Sequence, residues 1–166
     1  MNKKVYIAAS FAYEDKAKTS QRKDQIEKTV KRIKKLLGKE YSFYIPHQLK
    51  IPNAWDISLE EWSKAVYNHD VKALSDANLI IFLSYGKENN AGSVWECGWV
   101  AGYNTLVSQL PVEPDDIKKI IMIKMTDQIE SLMLFGSIDT IIMDSEIESY
   151  DWKNLPAYKT PLAKLS

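Results

Sequence analysis

The sequence predicts an α/β domain: a parallel five-stranded sheet with helices on both faces. Three observations carry that prediction. Short β-rich runs alternate with stretches of helical period along most of the chain. The runs are apolar at consecutive positions, as strands buried on both faces require. At 166 residues the chain has the usual size of one domain, large enough to bury a core without disulfide or metal staples.

The first strand is KVYIAAS, Lys4–Ser10, which the pattern places at the centre of the sheet. From Lys18 to Lys39 the residues Ile26, Val30, Ile33 and Leu37 recur at helical spacing among charged residues, with Gly38 near the stop. The basic run KRIKK within this helix is a solvated face rather than a nucleic-acid patch, given the apolar period around it. YSFYI is a second strand, followed by a Pro-bounded loop, PHQLKIPNAWD, and a helix that opens at SLEEW. There Ser58 and Glu61 have capping-box spacing. ANLIIFLS, the most apolar run, is a central strand; ENNAGSVWECGWVAGY then supplies a loop and a helix. LPVEPDD is a polar connection to the strand KIIMIKM, and a short helix around DQIESLMLF and a last strand, DTIIMD, complete the alternation. The whole, residues 1–166, reads as a single flavodoxin-like (Rossmann-like) domain with right-handed crossovers, ending in a tail over 145–166 without clear period.

Composition excludes several functions. The 22 basic and 22 acidic side chains cancel, leaving no global field to attract nucleic acid or anionic lipid. No window approaches the roughly 18 apolar residues that a membrane span needs. The apolar start is broken at once by Glu14 and Asp15 and reads as a strand, not a signal peptide. Cys97 is the sole cysteine, so no intrachain disulfide is possible and a cytoplasmic protein is expected. His47 and His69 are isolated, lack a companion at metal-ligand spacing, and read as surface residues; no metal site is expected.

In parallel sheets of this kind ligands bind beyond the carboxyl ends of the strands. That rule brings Ala9–Phe11 and Ser84–Tyr85 onto one rim with the KENNAGS loop and the first turn of the next helix, where this reading puts Glu96. Two readings of Glu96 stand side by side. Ser93 and Glu96 have the spacing of a capping box, with Gly98 and Gly102 letting the helix lie close to the sheet and Trp95 and Trp99 packing around it. Alternatively, a carboxylate held anionic by the helix dipole is a nucleophile suited to an anomeric carbon, whose transition state is oxocarbenium-like. Cys97, turned about 100° from Glu96, reads as a small buried residue. Without further information Asp70 is a solvated helix residue, and Tyr6 and Phe11 are core or rim aromatics.

YNHDVKALSDANLIIFLS followed by NNAGSVWECGWVAGY resembles the nucleoside 2-deoxyribosyltransferase family in residue order and spacing, from Asp70 after Tyr-Asn to Glu96 followed by Gly98 and Trp99. VYIAASF resembles the family's opening strand, and SLMLFGSIDTII its late segment, so the likeness runs to about Met143. The resemblance implies that Glu96 attacks C1′ of a 2′-deoxynucleoside and passes the sugar to a second base, without a metal or organic cofactor. It implies roles for Asp70 in proton transfer at the base and for Tyr6 in orienting the nucleophile. Phe11, Gln48, Asn90, Gly92, Ser131 and Met133 are the implied substrate-binding positions. It further implies nucleotide salvage, small-molecule deoxynucleosides and nucleobases as partners, and a homo-oligomer, dimer-based or hexameric. Two positions depart from the family pattern. Asn90 stands in place of a second aspartate, and Asn cannot exchange a proton as a carboxyl group does. Ser131 stands where transferases carry an asparagine that reaches a neighbouring subunit's sugar, and the tail lacks an aromatic end.

Two other functions compete. Water in place of the second base would make the protein a nucleoside or nucleotide N-glycosidase, although no Gly-rich phosphate loop marks a 5′-phosphate site. SDANLIIFLS and SVWE also resemble short stretches of Toll/interleukin-receptor domains, which would make the chain a non-catalytic nucleotide-binding or signalling module.

Overall fold

The computed structural model describes residues 3–11, 15–86, 90–111, 113, 116–128 and 131–155. Parts of four expected features, residues 87–89 of the KENNAGS loop, 112 and 114–115 of the LPVEPDD connection, 129–130 of the short helix and 156–166 of the tail, lie outside the described residues. The elements in chain order are β1 Lys3–Ala8, α1 Lys16–Leu37, β2 Tyr41–Tyr44, a 3-10 turn Pro46–Gln48, α2 Leu59–Asp76, β3 Leu79–Ser84, α3 Ala91–Val107, β4 Lys119–Lys124, α4 Leu132–Ser137, β5 Thr140–Met143 and a second 3-10 turn Asp144–Glu146. All strand pairs are parallel, in the order β2-β1-β3-β4-β5, which is the flavodoxin-like order. The most apolar run, β3, is the middle strand, whereas β1 is interior but second from the edge, a correction to its expected central place.

Side chains of a strand alternate between faces, and both faces of this sheet are covered. Val5 and Ile7 of β1, with Leu79, Ile81, Ile121 and Ile123, pack against Ile26, Val30, Ile33 and Leu37 of α1. Tyr6 and Ala8, with Ile80, Phe82, Ile120 and Met122, pack beneath Leu74 of α2, Cys97 and Val100 of α3 and Leu134 of α4. This double burial is why the strands read as continuous apolar runs.

The boundaries have local causes. Helix α1 begins two residues before its apolar period predicts, because the Asp15 carboxylate accepts hydrogen bonds from the N–H groups of Ala17 and Lys18. It ends at Gly38, whose φ of 82° lies in the region that favours glycine. The Ser58–Glu61 capping box forms in both directions at the start of α2. Two residues of the expected tail belong to the core. Ile147 and Trp152 are buried on the α1 face, and Arg32 ties α1 to that segment through Asp144 and both carboxylate oxygens of Glu148. The segment has no period because it packs as an irregular strap, not a helix. Among the described residues no helix is long and apolar enough to cross a membrane, and no group of three or more His, Cys, Asp and Glu could hold a metal ion.

Candidate active site

The strand order reverses between β1 and β3, and such a switch point leaves a crevice at the carboxyl ends of the strands. A cleft of about 550 Å³ lies there. Its walls come from the end of β1 (Ala9, Ser10, Phe11), the segment after β2 (Pro46, His47, Leu49, Lys50, Ile51, Ala54, Trp55), one face of α2 and the start of α3. On α2 the lining residues are Trp62, Val66 and Asp70, and on α3 they are Gly92, Ser93 and Glu96. Helix geometry explains both sets, since residues three and four apart share a face. Cys97, one position on, turns instead into the core and is buried, as expected.

The N-cap of α3 is Asn90, not Ser93, so the Ser93–Glu96 capping box does not form. Glu96 lies in the second turn, beyond the free N–H groups of the helix start. Ser93 is buried and its hydroxyl shares a hydrogen bond of 3.1 Å with Ser10. Gly98 and Gly102 are exposed, and a Cβ at either would meet nothing within 4 Å. Close packing on the sheet is made by Cys97, Val100 and Asn104. Trp95 is half exposed against Tyr67, and Trp99 packs partly on the core, stacked with Tyr103.

What holds Glu96 is Tyr6. This side chain is wholly buried on β1, and its hydroxyl donates to Glu96 Oε1 at 2.7 Å. The other oxygen, Oε2, is buried and has no hydrogen-bond partner among the described residues. Burial therefore pushes the Glu96 carboxyl up to about 8; the Tyr6 hydrogen bond works against that rise and the Asp70 charge adds to it. The carboxyl group expected to be held anionic at a helix start lies instead in the second turn, where burial favours its protonated form. Burial and the two carboxylates raise Tyr6 far above the ordinary tyrosine range, so it remains a donor.

Asp70 is half buried, and its Oδ1 accepts from the Tyr44 hydroxyl at 2.7 Å. Burial raises its carboxyl above the usual range, opposed by that hydrogen bond and by His69. Phe11 lies on the cleft wall with its ring tilted against His47, centroids 5.3 Å apart. The site thus brings together Tyr6, Phe11, Asp70, Gly92 and Glu96 from three separate segments, β1 and its end, α2 and α3. Asn90 stands beside the cleft and donates its amide to the Gly86 carbonyl at 2.8 Å. Three expected residues are not brought to the cleft wall. Gln48 is exposed on the 3-10 turn and lines a groove along α1 with Glu27 and Lys31. Ser131 is the exposed N-cap of α4, and Met133 is exposed two residues on.

Several lining residues escaped the sequence reading. The His47 side chain is 4% exposed, with Nε2 turned toward Glu27 at 3.6 Å, and so is not the surface residue expected. Burial lowers its pKa, opposed by Glu27. Tyr44 was legible only as an alternating strand residue. Its register opposite Tyr6 needed the β1–β2 pairing. Trp55 and Trp62, the aromatics of the cleft mouth, sit in a segment and on a helix face whose orientation the local pattern leaves open.

Comparison with known proteins agrees with this fold. Residues 5–136 match the sequence profile of the nucleoside 2-deoxyribosyltransferase family. Among curated protein sequences no match was found. The fold is similar to that of a 2-deoxyribosyltransferase from Bacillus psychrosaccharolyticus, with a TM-score of 0.66 and 19% identity over 94% of this chain and 99% of that one. It is also similar to a conserved protein from Enterococcus faecalis, with a TM-score of 0.64 and 14% identity over 90% and 99% of the two chains. A CMP N-glycosidase from Clostridium botulinum has a TM-score of 0.53 and 17% identity over 89% and 100%. With the profile covering most of its length, the chain belongs to the nucleoside 2-deoxyribosyltransferase family.

Proposed function

We propose that the protein cleaves the N-glycosidic bond of 2′-deoxynucleosides and transfers the deoxyribosyl group to another purine or pyrimidine base, with Glu96 as the nucleophile. One observation carries this reading. Glu96 lies in an apolar cleft with one oxygen oriented by Tyr6 and the other buried without a partner. A carboxyl group in that condition is poorly explained by stability, since an unmade hydrogen bond in a buried place costs free energy. It is well suited to attack at C1′.

The raised carboxyl of Glu96 fits the chemistry. The departing base needs a proton, and the attacking carboxylate must lose one. Transfer of the Glu96 proton through Asp70 to a base nitrogen or oxygen meets both needs. Glu96 then forms the ester bond to C1′ as the C1′–N bond breaks and its electron pair stays with the protonated base. A second base attacks C1′ of the ester, releases Glu96, and returns its N–H proton by the same route. Phe11 stacks on the base; Asn90 and Gly92 contact it at the start of α3. Ser131 and Met133 lie outside the cleft of their own chain, so in a homo-oligomer we assign them to a neighbour's site, and Gln48 remains a base contact only if the 3-10 turn moves. The chemistry requires no metal or organic cofactor, and the role is salvage of small-molecule deoxynucleosides in the cytoplasm.

A hydrolase is the second reading, and Asn90 favours it. With its amide engaged by Gly86, no second carboxyl is available there to deprotonate an incoming base, and water competes better for the ester. Chromatography of a deoxynucleoside incubated with the protein, with and without a second free base, tests both. A new deoxynucleoside that appears only with the acceptor supports transfer. Release of free base at one rate in both mixtures means hydrolysis, and no turnover of any nucleoside or nucleotide refutes the assignment of Glu96.

A further inference from the structure

The site contains a second tyrosine–carboxylate pair built like the first. Tyr6 and Tyr44 occupy paired positions on β1 and β2, so their rings point to the same face and stack, with centroids 5.3 Å apart and planes 23° from parallel. Each hydroxyl ends on one cleft carboxylate at the same distance, Tyr6 on Glu96 and Tyr44 on Asp70, both at 2.7 Å. The edge strand thereby fixes a residue of α2 much as the neighbouring strand fixes one of α3.

Resting on the reading above, we propose that Tyr44 is a positioning residue for proton transfer: it fixes Asp70 through Oδ1 and leaves Oδ2 to exchange the proton of the departing and arriving bases. The geometry supports a dedicated role. Asp70 Oδ2 takes no hydrogen bond from a described residue, and a carboxylate on a helix facing an open cleft would otherwise rotate among several rotamers. The stacked Tyr6 ring limits where the Tyr44 hydroxyl can go, so the two carboxylates are held by one rigid aromatic unit. The hydrogen bond also opposes the effect of burial on Asp70. Tyr44 itself is raised well above the ordinary tyrosine range by burial and by Asp70, and stays a donor at any working pH. Other titratable or charged groups facing Asp70 are Glu96 from α3, Tyr6 from β1, His47 and Lys50 from the segment after β2, and His69 beside it on α2.

The test compares two substrates in wild type and Tyr44→Phe, an almost isosteric change whose folding is checked by its thermal melt. 2′-Deoxyadenosine releases a base that needs a proton. 7-Methyl-2′-deoxyguanosine carries a cationic base that leaves as a neutral molecule without one, the Glu96 proton passing to solvent instead of through Asp70 to the base. Losing a hydrogen bond to a charged group is worth roughly a tenfold change or more, so the ratio of kcat on the methylated substrate to kcat on deoxyadenosine should rise by about tenfold or more in Tyr44→Phe. The acid limb of the deoxyadenosine pH–rate profile should move to higher pH, because the variant lacks an interaction that lowers Asp70. Asp70→Asn should raise the same ratio, and the double variant should add little to either single change. Equal losses on both substrates, or a ratio that does not move, overturn the role of Tyr44 while leaving the nucleophile assignment standing. A wild-type protein inert on both substrates overturns the underlying reading and this one with it.

Discussion

Replacing Glu96 with Gln should inactivate the protein and at the same time stabilise it at neutral pH. Gln keeps an Oε1 to accept from Tyr6 and the shape of the protonated acid, but it can neither ionise nor attack. The magnitude follows from the carboxyl being raised from 4.5 to about 8 by burial. Below pH 4.5 the group is protonated in folded and unfolded chains alike and contributes no pH dependence. Between 4.5 and about 8 the folded chain binds the proton that the unfolded chain has lost, so wild-type stability falls as pH rises. The slope is at most about 1.4 kcal/mol per pH unit, which brings the loss to roughly 3 kcal/mol at pH 7, an upper end because the cleft admits water. Asp70, raised in the same direction, remains in both proteins and cancels. With urea slopes of about 1–3 kcal/mol per molar for domains of this size, the unfolding midpoint of Glu96→Gln should exceed that of wild type by roughly 1–3 M at pH 7 and converge with it as the pH falls toward 4.5. Midpoints measured at pH 5, 6, 7 and 8 decide the matter. Parallel curves for the two proteins would refute the argument that burial holds the proton on Glu96 in the folded chain.

Two further outcomes follow from particular contacts. Tyr6→Phe removes the hydrogen bond that orients Glu96 and opposes its rise; kcat should fall by about 10–100-fold, and the basic limb of the pH–rate profile should move above its wild-type position, which steady-state rates between pH 6 and 10 would show. Gly38→Ala forces a side chain into φ 82° and ψ −172° at the end of α1. The neighbouring Glu40 carboxylate, 3.3 Å from the new Cβ, can swing aside, so backbone strain of about 1–3 kcal/mol remains. Differential scanning calorimetry should show Tm lower by roughly 2–10 °C, with activity per folded molecule unaltered.

The sequence by itself determined the sheet, the alternation of elements and most of their limits, because these depend on local quantities: apolar runs buried on two faces, the helical period of Ile26, Val30, Ile33 and Leu37, and the Ser58 cap. It also singled out Tyr6, Phe11, Asp70 and Glu96, which a spacing pattern can mark without knowledge of their contacts. Only the tertiary structure decided what those residues do to one another. Ser93 and Glu96 have the spacing of a cap, yet Asn90 starts α3 earlier, and a box spacing does not reveal which residue begins the helix. The protonation of Glu96 depends on how much water the cleft excludes, and Tyr44 becomes part of the site only through strand register, which sets it opposite Tyr6. Residues 147–155 close the α1 face without any period, since an irregular strap is held by side chains from elsewhere, Arg32 above all. Long-range register, burial and electrostatics are properties of the assembled layers, and no short window of sequence carries them.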